Sequence, residues 1–228
     1  MEQATNNKRG LLDMFKTEGF AHYLQGLKFG TYTMFRPLDG FWDLTHEKRG
    51  NLWAAHTFVL LRVIIEIMRL TLSSFQFIPI HMQYFNAGMV VAQVVAPVVL
   101  WTVANWSLTT LMDGKGRMMD VYMGYAYALV PWIIIDAGLI PLSHLITAQE
   151  GAIFWTLSSF AVAWFVMLLI SAMMQIHDYS IGKTILSSAL TLLAIGIVIF
   201  IIIMFVAVVS DMFAYFISVF REVYFRVV

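Results

Sequence analysis

The sequence contains no cysteine and few charged residues. Without cysteine, disulfides and thiolate metal sites are excluded. Charged residues make up 12% of the 228 residues, about half the fraction that is typical of soluble domains. Basic and acidic residues number 14 each, so the formal net charge is zero. We therefore expect no general electrostatic attraction to nucleic acid or to an acidic partner.

The residue patterns that identify catalytic and metal sites are also missing from the sequence. The six histidines are scattered, and none belongs to the His-Glu-x-x-His pattern of a zinc protease. Residues 114–116 read Gly-Lys-Gly, but the glycine spacing and the following Ser or Thr of a phosphate-binding loop are lacking. No Ser/His/Asp set or pair of carboxylates is recognisable. We therefore expect no enzyme activity, no cofactor and no metal.

Apolar residues dominate the chain and occur in continuous runs. The hydrophobic fraction is 60% and the mean hydropathy is +0.77. Runs of about 20–26 apolar residues are long enough to cross a bilayer as helices, whereas alternation would indicate a barrel. The chain is therefore predicted to be an all-α membrane protein with five transmembrane helices, over residues 53–77, 88–112, 121–140, 152–176 and 184–209.

The segments on either side of these runs are amphipathic. Within residues 1–51, apolar side chains recur at helical spacing over residues 11–35, which predicts one or two helices that lie on the membrane surface or pack on the bundle. Residues 210–228 combine four charged residues with an apolar stripe. We interpret them as a short amphipathic helix that lies at the interface or binds a partner, and a sixth span is the alternative. The predicted division is a cytosolic segment over 1–51, a five-span domain over 52–209 and an external tail over 210–228.

The basic residues of the predicted loops are unevenly distributed. Ten of them fall before the first span, between the second and third, or between the fourth and fifth. The loops on the opposite side have none, and the tail has Arg221 and Arg226. Because basic loops stay in the cytosol, we predict a cytosolic N-terminus and an external C-terminus.

The first predicted span carries three charges in its interior. Arg62, Glu66 and Arg69 are four and three residues apart, so they share one face of a helix. A charge at the bilayer centre costs about 2.5–3.5 kcal/mol on insertion scales, so this face should turn towards other helices or water. Asp136 lies at a similar predicted depth in the third span, and we predict that it contacts Arg69. The cluster is either a structural lock or a polar path for an ion or a lipid headgroup.

Three short motifs occur in order along the chain. Arg36-Pro37-x-Asp39-Gly40-Phe41-x-Asp43-Leu44 precedes the first span. Asn105-Trp106-Ser107 and then Leu111-x-Asp113-Gly114-Lys115-Gly116 close the second. Gly124-Tyr125-x-Tyr127-x-Leu129-Val130-Pro131 lies in the third. Together these motifs resemble the Ypt-interacting protein (Yip) domain family, in its bacterial branch. The resemblance covers residues 35–209 and implies a partner face or structural motif at Arg36, Pro37, Asp39, Gly40, Asp43, Asp113, Gly114, Lys115, Gly116, Gly124, Tyr125 and Pro131.

The resemblance also implies a function. Eukaryotic members of the family lie in Golgi and endoplasmic reticulum membranes and bind Rab-type GTPases. Bacterial members often occur beside sugar ABC transporters. We expect a non-enzymatic adaptor or scaffold in a bacterial cell membrane. Its partners would be the lipid bilayer and a transporter subunit or GTPase-like protein, and homo-oligomerisation is open. The alternative is a transport component, a channel or permease-like subunit that uses the buried charges of spans one and three.

Overall fold

The computed structural model describes residues 17–78 and 85–227, and all of the regular structure in this part of the chain is helical. The predicted start of the amphipathic segment, at residues 11–16, lies outside the described residues. The helices are α1 (Thr17–Phe35), α2 (Pro37–Thr45), α3 (Leu52–Leu72), α4 (Ala87–Leu111), α5 (Met118–Ala128), α6 (Val130–Leu145), α7 (Gly151–His177) and α8 (Ile181–Val227).

Four stretches of the described chain are long and apolar enough to cross a membrane. They are Ala87–Leu111, Met118–Leu145, Ala148–His177 and Ile181–Glu222. The second combines α5 and α6, and the third adds a short turn of 3-10 helix to α7. The prediction of an all-helical, multi-pass membrane protein is therefore confirmed. Helix α3 has 21 residues, which is also enough to span, but unlike these four it carries three charges within eight residues.

The third predicted span is interrupted next to Pro131. Helix α5 ends at Ala128 and α6 begins at Val130. Pro131 has no N–H to give to the carbonyl of residue 127, and its ring clashes with that carbonyl in a regular helix. The N–H of Leu129 bonds instead to the carbonyl of Ala126 at 3.3 Å, so the chain tightens for one turn and then resumes as α6.

The N-terminal helices pack on the bundle. In α1, Gly26 faces Asn51 and Ala54, and Gly30 faces Phe58 of α3. An added Cβ at either glycine would come within 2.7 Å of these side chains, so α1 approaches α3 closely because the two glycines have no side chain. In α2, the side chains of Phe41 and Leu44 are buried, and this helix packs along α7.

Helix α8 has 47 residues and is about 70 Å long at 1.5 Å per residue. It packs on α4 and α7, and its first part buries the small polar residues Thr184, Ser187 and Thr191. Most of the large apolar side chains from Leu192 to Phe225 are exposed. The predicted boundary between the fifth span and the tail, at residues 209–210, is not marked by a break. Ser210 and Asp211 lack the glycine or proline that would end a helix.

The close approach of α5 to α7 gives a testable difference between two glycines of the same span. A Cβ on Gly124 would lie 2.5 Å from Ile176 Cδ1 and 3.3 Å from Ala172 Cβ, whereas a Cβ on Gly138 would meet nothing within 4 Å. We expect Gly124→Leu to lower the free energy of unfolding by about 1–3 kcal/mol through overpacking. Gly138→Leu is the matched control and should change it much less. Thermal unfolding in detergent measures both, and equal effects would contradict the close packing.

Candidate functional site

Three charged side chains of α3 form a ladder along one face of the helix. Arg62 Nη2 lies 2.8 Å from Glu66 Oε2, and Arg69 Nη2 lies 2.9 Å from Glu66 Oε1. Glu66 therefore accepts from both arginines, one turn away on either side. These separations are those of charge-assisted hydrogen bonds, and the stripe alone carries a net charge of plus one.

Asp136 of α6 supplies the fourth charge. Its Oδ2 lies 3.4 Å from Arg62 Nη1 and 3.6 Å from Arg69 Nε. The carboxylate is fully buried, and within the described residues neither of its oxygens accepts a hydrogen bond. It is therefore held between the two guanidinium groups by charge. The four charges sum to zero, and they join α3 to α6.

An aromatic ring completes the surroundings of Arg62. The guanidinium carbon lies 4.3 Å from the centre of the Trp132 ring, at a distance where the ring attracts the cation. The Arg62 side chain is 6% exposed, against 19% for Arg69 and 14% for Glu66. Arg62 and Asp136 are therefore buried inside the protein, whereas Arg69 is partly exposed at its surface. Trp132 lies four residues before Asp136 and so shares a face of α6 with it, but it carries no charge that would have assigned it to this cluster from the sequence.

A second buried polar group joins α4, α7 and α8. His177 Nε2 lies 3.0 Å from Asn105 Oδ1, and Asn105 Nδ2 donates to Thr191 Oγ1 at 3.1 Å. The backbone N–H of Gly116 donates to His177 Nδ1 at 3.3 Å. Because Nδ1 accepts, the ring proton is on Nε2, and the imidazole is neutral in this arrangement. Asn105 belongs to the second motif, but only the fold shows that His177 is its partner.

The loop after α4 packs closely against the side chain of His177. A Cβ on Gly114 would lie 2.8 Å from His177 Nδ1, and a Cβ on Gly116 would lie 2.9 Å from the same atom. These two glycines are needed for close approach to a side chain. Asp113, just before them, has a φ of 59°, so the chain turns tightly at this point. We attribute the Gly-Lys-Gly spacing to packing.

The charged residues of this loop face outwards. Lys115 Nζ lies 2.7 Å from Asp178 Oδ2, and both side chains are more than half exposed. This hydrogen bond lowers the pKa of Asp178 below its usual range, with a smaller contribution from His46 at the end of α2. Burial raises the pKa of the neighbouring Tyr179, whose hydroxyl donates to the carbonyl of Met112 at 2.9 Å. The loops after α2, α4 and α7 therefore meet at one end of the bundle.

The first motif divides into buried and exposed residues. Gly40 is buried, and a Cβ there would come within 2.8 Å of Thr33 on α1. Asp43 Oδ2 accepts from Arg49 Nη1 at 2.7 Å. Pro37 begins α2, a position that suits its missing N–H. Of the other residues of the motif, Phe41 and Leu44 are buried, whereas Arg36 and Asp39 are exposed.

The third motif lies inside the bundle. Gly124, Tyr125 and Pro131 are buried. The residue between them, Tyr127, is completely buried, and its hydroxyl accepts from the N–H of Asn51 at 3.1 Å. The same hydroxyl lies 3.3 Å from the carbonyl of Gly26. Tyr127 therefore connects α1, the start of α3 and α5, a role that its place in the motif does not reveal.

The comparisons with known proteins give one match. Residues 31–218 match the Yip1 domain, which covers all three motifs and the four charged residues of the cluster. Neither a curated protein nor a solved structure matches the chain. The Yip1 domain extends from the second half of α1 into the last third of α8. The chain is a member of the Yip1 domain family.

Proposed function

We propose that this Yip1-domain protein is a non-enzymatic adaptor or scaffold that spans a bacterial cell membrane five times. In this proposal α3 is the first span, the N-terminus is cytosolic and the C-terminus is external. The end of the bundle that carries the loops after α2, α4 and α7 then faces the cytosol and docks a protein. For a bacterial member of the family, the partner that we favour is a subunit of a sugar ABC transporter.

The observation that supports an adaptor is the division of the motif residues between the interior and one end of the bundle. Gly40 and Gly124 are buried in helix contacts. In contrast, Asp39, Asp113 and Lys115 are exposed and charged. Exposed charges that packing does not require are typical of a recognition surface.

The charge cluster supports the same interpretation. Arg62, Glu66, Arg69 and Asp136 neutralise one another across α3 and α6. A structural lock between two helices requires that the buried charges neutralise one another. A transport path requires charged groups that are free to bind the transported ion. The partial exposure of Arg69 and Glu66 is the one observation in favour of a transport component, our second candidate.

Site-specific photo-crosslinking in the organism that carries the gene tests the adaptor. A photo-reactive residue at Asp39 or at Lys115 should give the same discrete protein adduct. Leu145, 81% exposed at the opposite end of its span, is the matched control and should not give that adduct. Lys115→Glu combined with Arg117→Glu should abolish the adduct formed from Asp39.

Reconstitution in liposomes separates the two candidates. The adaptor should conduct no ions, and Asp136→Asn should leave this baseline unchanged. A flux that is present in the wild type, and lost in Asp136→Asn protein that circular dichroism shows to be folded, would support the transport component and contradict the adaptor. The adaptor would also be contradicted if no adduct formed from either Asp39 or Lys115.

A further inference from the structure

A basic cavity lies between α1 and the loop that follows α2. Its volume is about 760 Å³. The basic side chains that line it come from both segments, and they are Lys28, Arg36, Lys48 and Arg49. Glu47 is the acidic residue of the lining. The chain as a whole has no net charge, so this concentration of positive charge is local.

Three of the four basic side chains are available to a ligand. Arg49 is already occupied, because its Nη1 lies 2.7 Å from Asp43 Oδ2 and its guanidinium carbon lies 5.2 Å from the centre of the Phe29 ring. Lys28, Arg36 and Lys48 are exposed. In the described part of the chain none of these three makes an ion pair with a carboxylate.

One wall of the cavity continues onto a membrane-spanning helix. Phe35 lines the cavity and is 72% exposed. Its ring meets Trp164 of α7 edge to face, with the centres 6.3 Å apart. The Trp164 ring lies 5.2 Å from that of Phe160, one turn further along α7. An aromatic row therefore leads from the basic cavity onto the apolar surface of the bundle.

We propose that this cavity binds an anionic phospholipid. The headgroup phosphate would be bound by Lys28, Arg36 and Lys48, and an acyl chain would lie along Phe35, Trp164 and Phe160. Both halves of the site match one amphiphilic ligand. A free phosphate would use the basic side chains alone, and an acidic segment of a protein would not need the aromatic row on α7.

Lipid titration of the purified, full-length protein in detergent tests this site. Native mass spectrometry measures how much phosphatidylglycerol and phosphatidylcholine remain bound at each concentration. We expect phosphatidylglycerol to bind more tightly. Each basic residue near an anionic membrane surface contributes about fivefold to affinity, so Lys28→Gln with Arg36→Gln should weaken phosphatidylglycerol binding about thirtyfold.

Two further variants localise the effect. Lys115→Gln with Arg117→Gln removes the same amount of charge from a loop outside the cavity and should leave lipid affinity unchanged within about twofold. Phe35→Ala should weaken the binding of phosphatidylglycerol, whereas the binding of inorganic phosphate should not change. Retention of the wild-type melting temperature shows that each variant is folded. If the cavity double variant unfolds, Lys48→Gln alone should still weaken phosphatidylglycerol binding about fivefold.

Three results would overturn the proposal. The first is equal affinity for the two lipids. The second is an equal loss of affinity in the cavity variant and in the loop variant, which would indicate general attraction to negative charge. The third is phosphate binding as tight as lipid binding with no effect of Phe35→Ala, which would assign the cavity to a free anion.

Discussion

Replacing Asp136 with asparagine is expected to lower the free energy of unfolding by about 3–5 kcal/mol, the cost of leaving a buried charge without its partner. Asp136 is completely buried and lies 3.4 Å from Arg62 Nη1 and 3.6 Å from Arg69 Nε. Asparagine keeps the size of the side chain but removes its charge. Glu66 then faces two arginines alone, and the cluster carries a net charge of plus one.

Unfolding of the purified protein in mixed micelles, followed by circular dichroism, measures this change. Asp211→Asn is the matched control, because Asp211 is exposed on α8 and its loss leaves no buried charge. We expect the control to stay within about 0.5 kcal/mol of the wild type, as is usual for surface substitutions. Indistinguishable stabilities of the two variants would show that Asp136 does not neutralise the cluster.

Replacing Tyr127 with alanine should have an effect of similar size. Among the described residues, Tyr127 is the largest side chain that is completely buried, and its ring packs edge to face on Phe58 of α3 and Phe29 of α1. Truncating a buried aromatic residue costs about 3–5 kcal/mol. Tyr127→Phe keeps the ring but leaves the N–H of Asn51 without its acceptor, which costs about 1–3 kcal/mol.

The tyrosine variants also have a local effect that limited proteolysis detects. Tyr127 holds α1 against the bundle through its contacts with Gly26 and Phe29. Tyr127→Ala should therefore allow trypsin to cleave after Lys28 faster than in the wild type. Tyr215→Ala is the control, since Tyr215 is 67% exposed on α8. If cleavage after Lys28 is equally fast in the wild type and in both variants, Tyr127 does not fasten α1.

Spacing along a single helix was sufficient to predict part of the cluster. Arg62, Glu66 and Arg69 share a face in any helix, and their charge requires a partner in a membrane. Asp136 could be predicted as the partner from its depth in the membrane alone, because it is an acidic residue within another apolar run. The structure places Asp136 between Arg62 and Arg69. A double variant that exchanges the residues at positions 69 and 136 would therefore place an arginine at position 136 against Arg62. The sequence-based prediction of a single Arg69–Asp136 contact did not include that second neighbour.

Contacts between distant segments were not predictable in this way. His177 and Asn105 are 72 residues apart in sequence, and Tyr127 and Asn51 are 76 apart. Nothing in helical periodicity pairs them, because packing in three dimensions decides which polar groups meet. Trp132 was missed for the same reason. Its contact with Arg62 depends on how α6 is rotated after the interruption before Pro131.

The two ends of the chain show what hydropathy can and cannot indicate. Amphipathic spacing predicted a helix that ends near Phe35, and α1 ends there. Its packing on α3 depends on Gly26 and Gly30, whose lack of side chains lowers helix propensity in an isolated sequence. At the other end, the charges from Asp211 onwards suggested a separate helix. Hydrogen bonding along the backbone does not require a uniform apolar surface, so α8 continues to Val227.

The central claim is that the buried charges stabilise the bundle by neutralising one another, and a double-mutant cycle on Arg62 and Asp136 tests it most directly. Arg62→Met, Asp136→Leu and the double variant are compared with the wild type by their free energies of unfolding. The double variant leaves the neutral pair of Glu66 and Arg69, so it should be more stable than the sum of the single effects by roughly 1.5–3 kcal/mol. Additivity within about 0.5 kcal/mol would contradict the account.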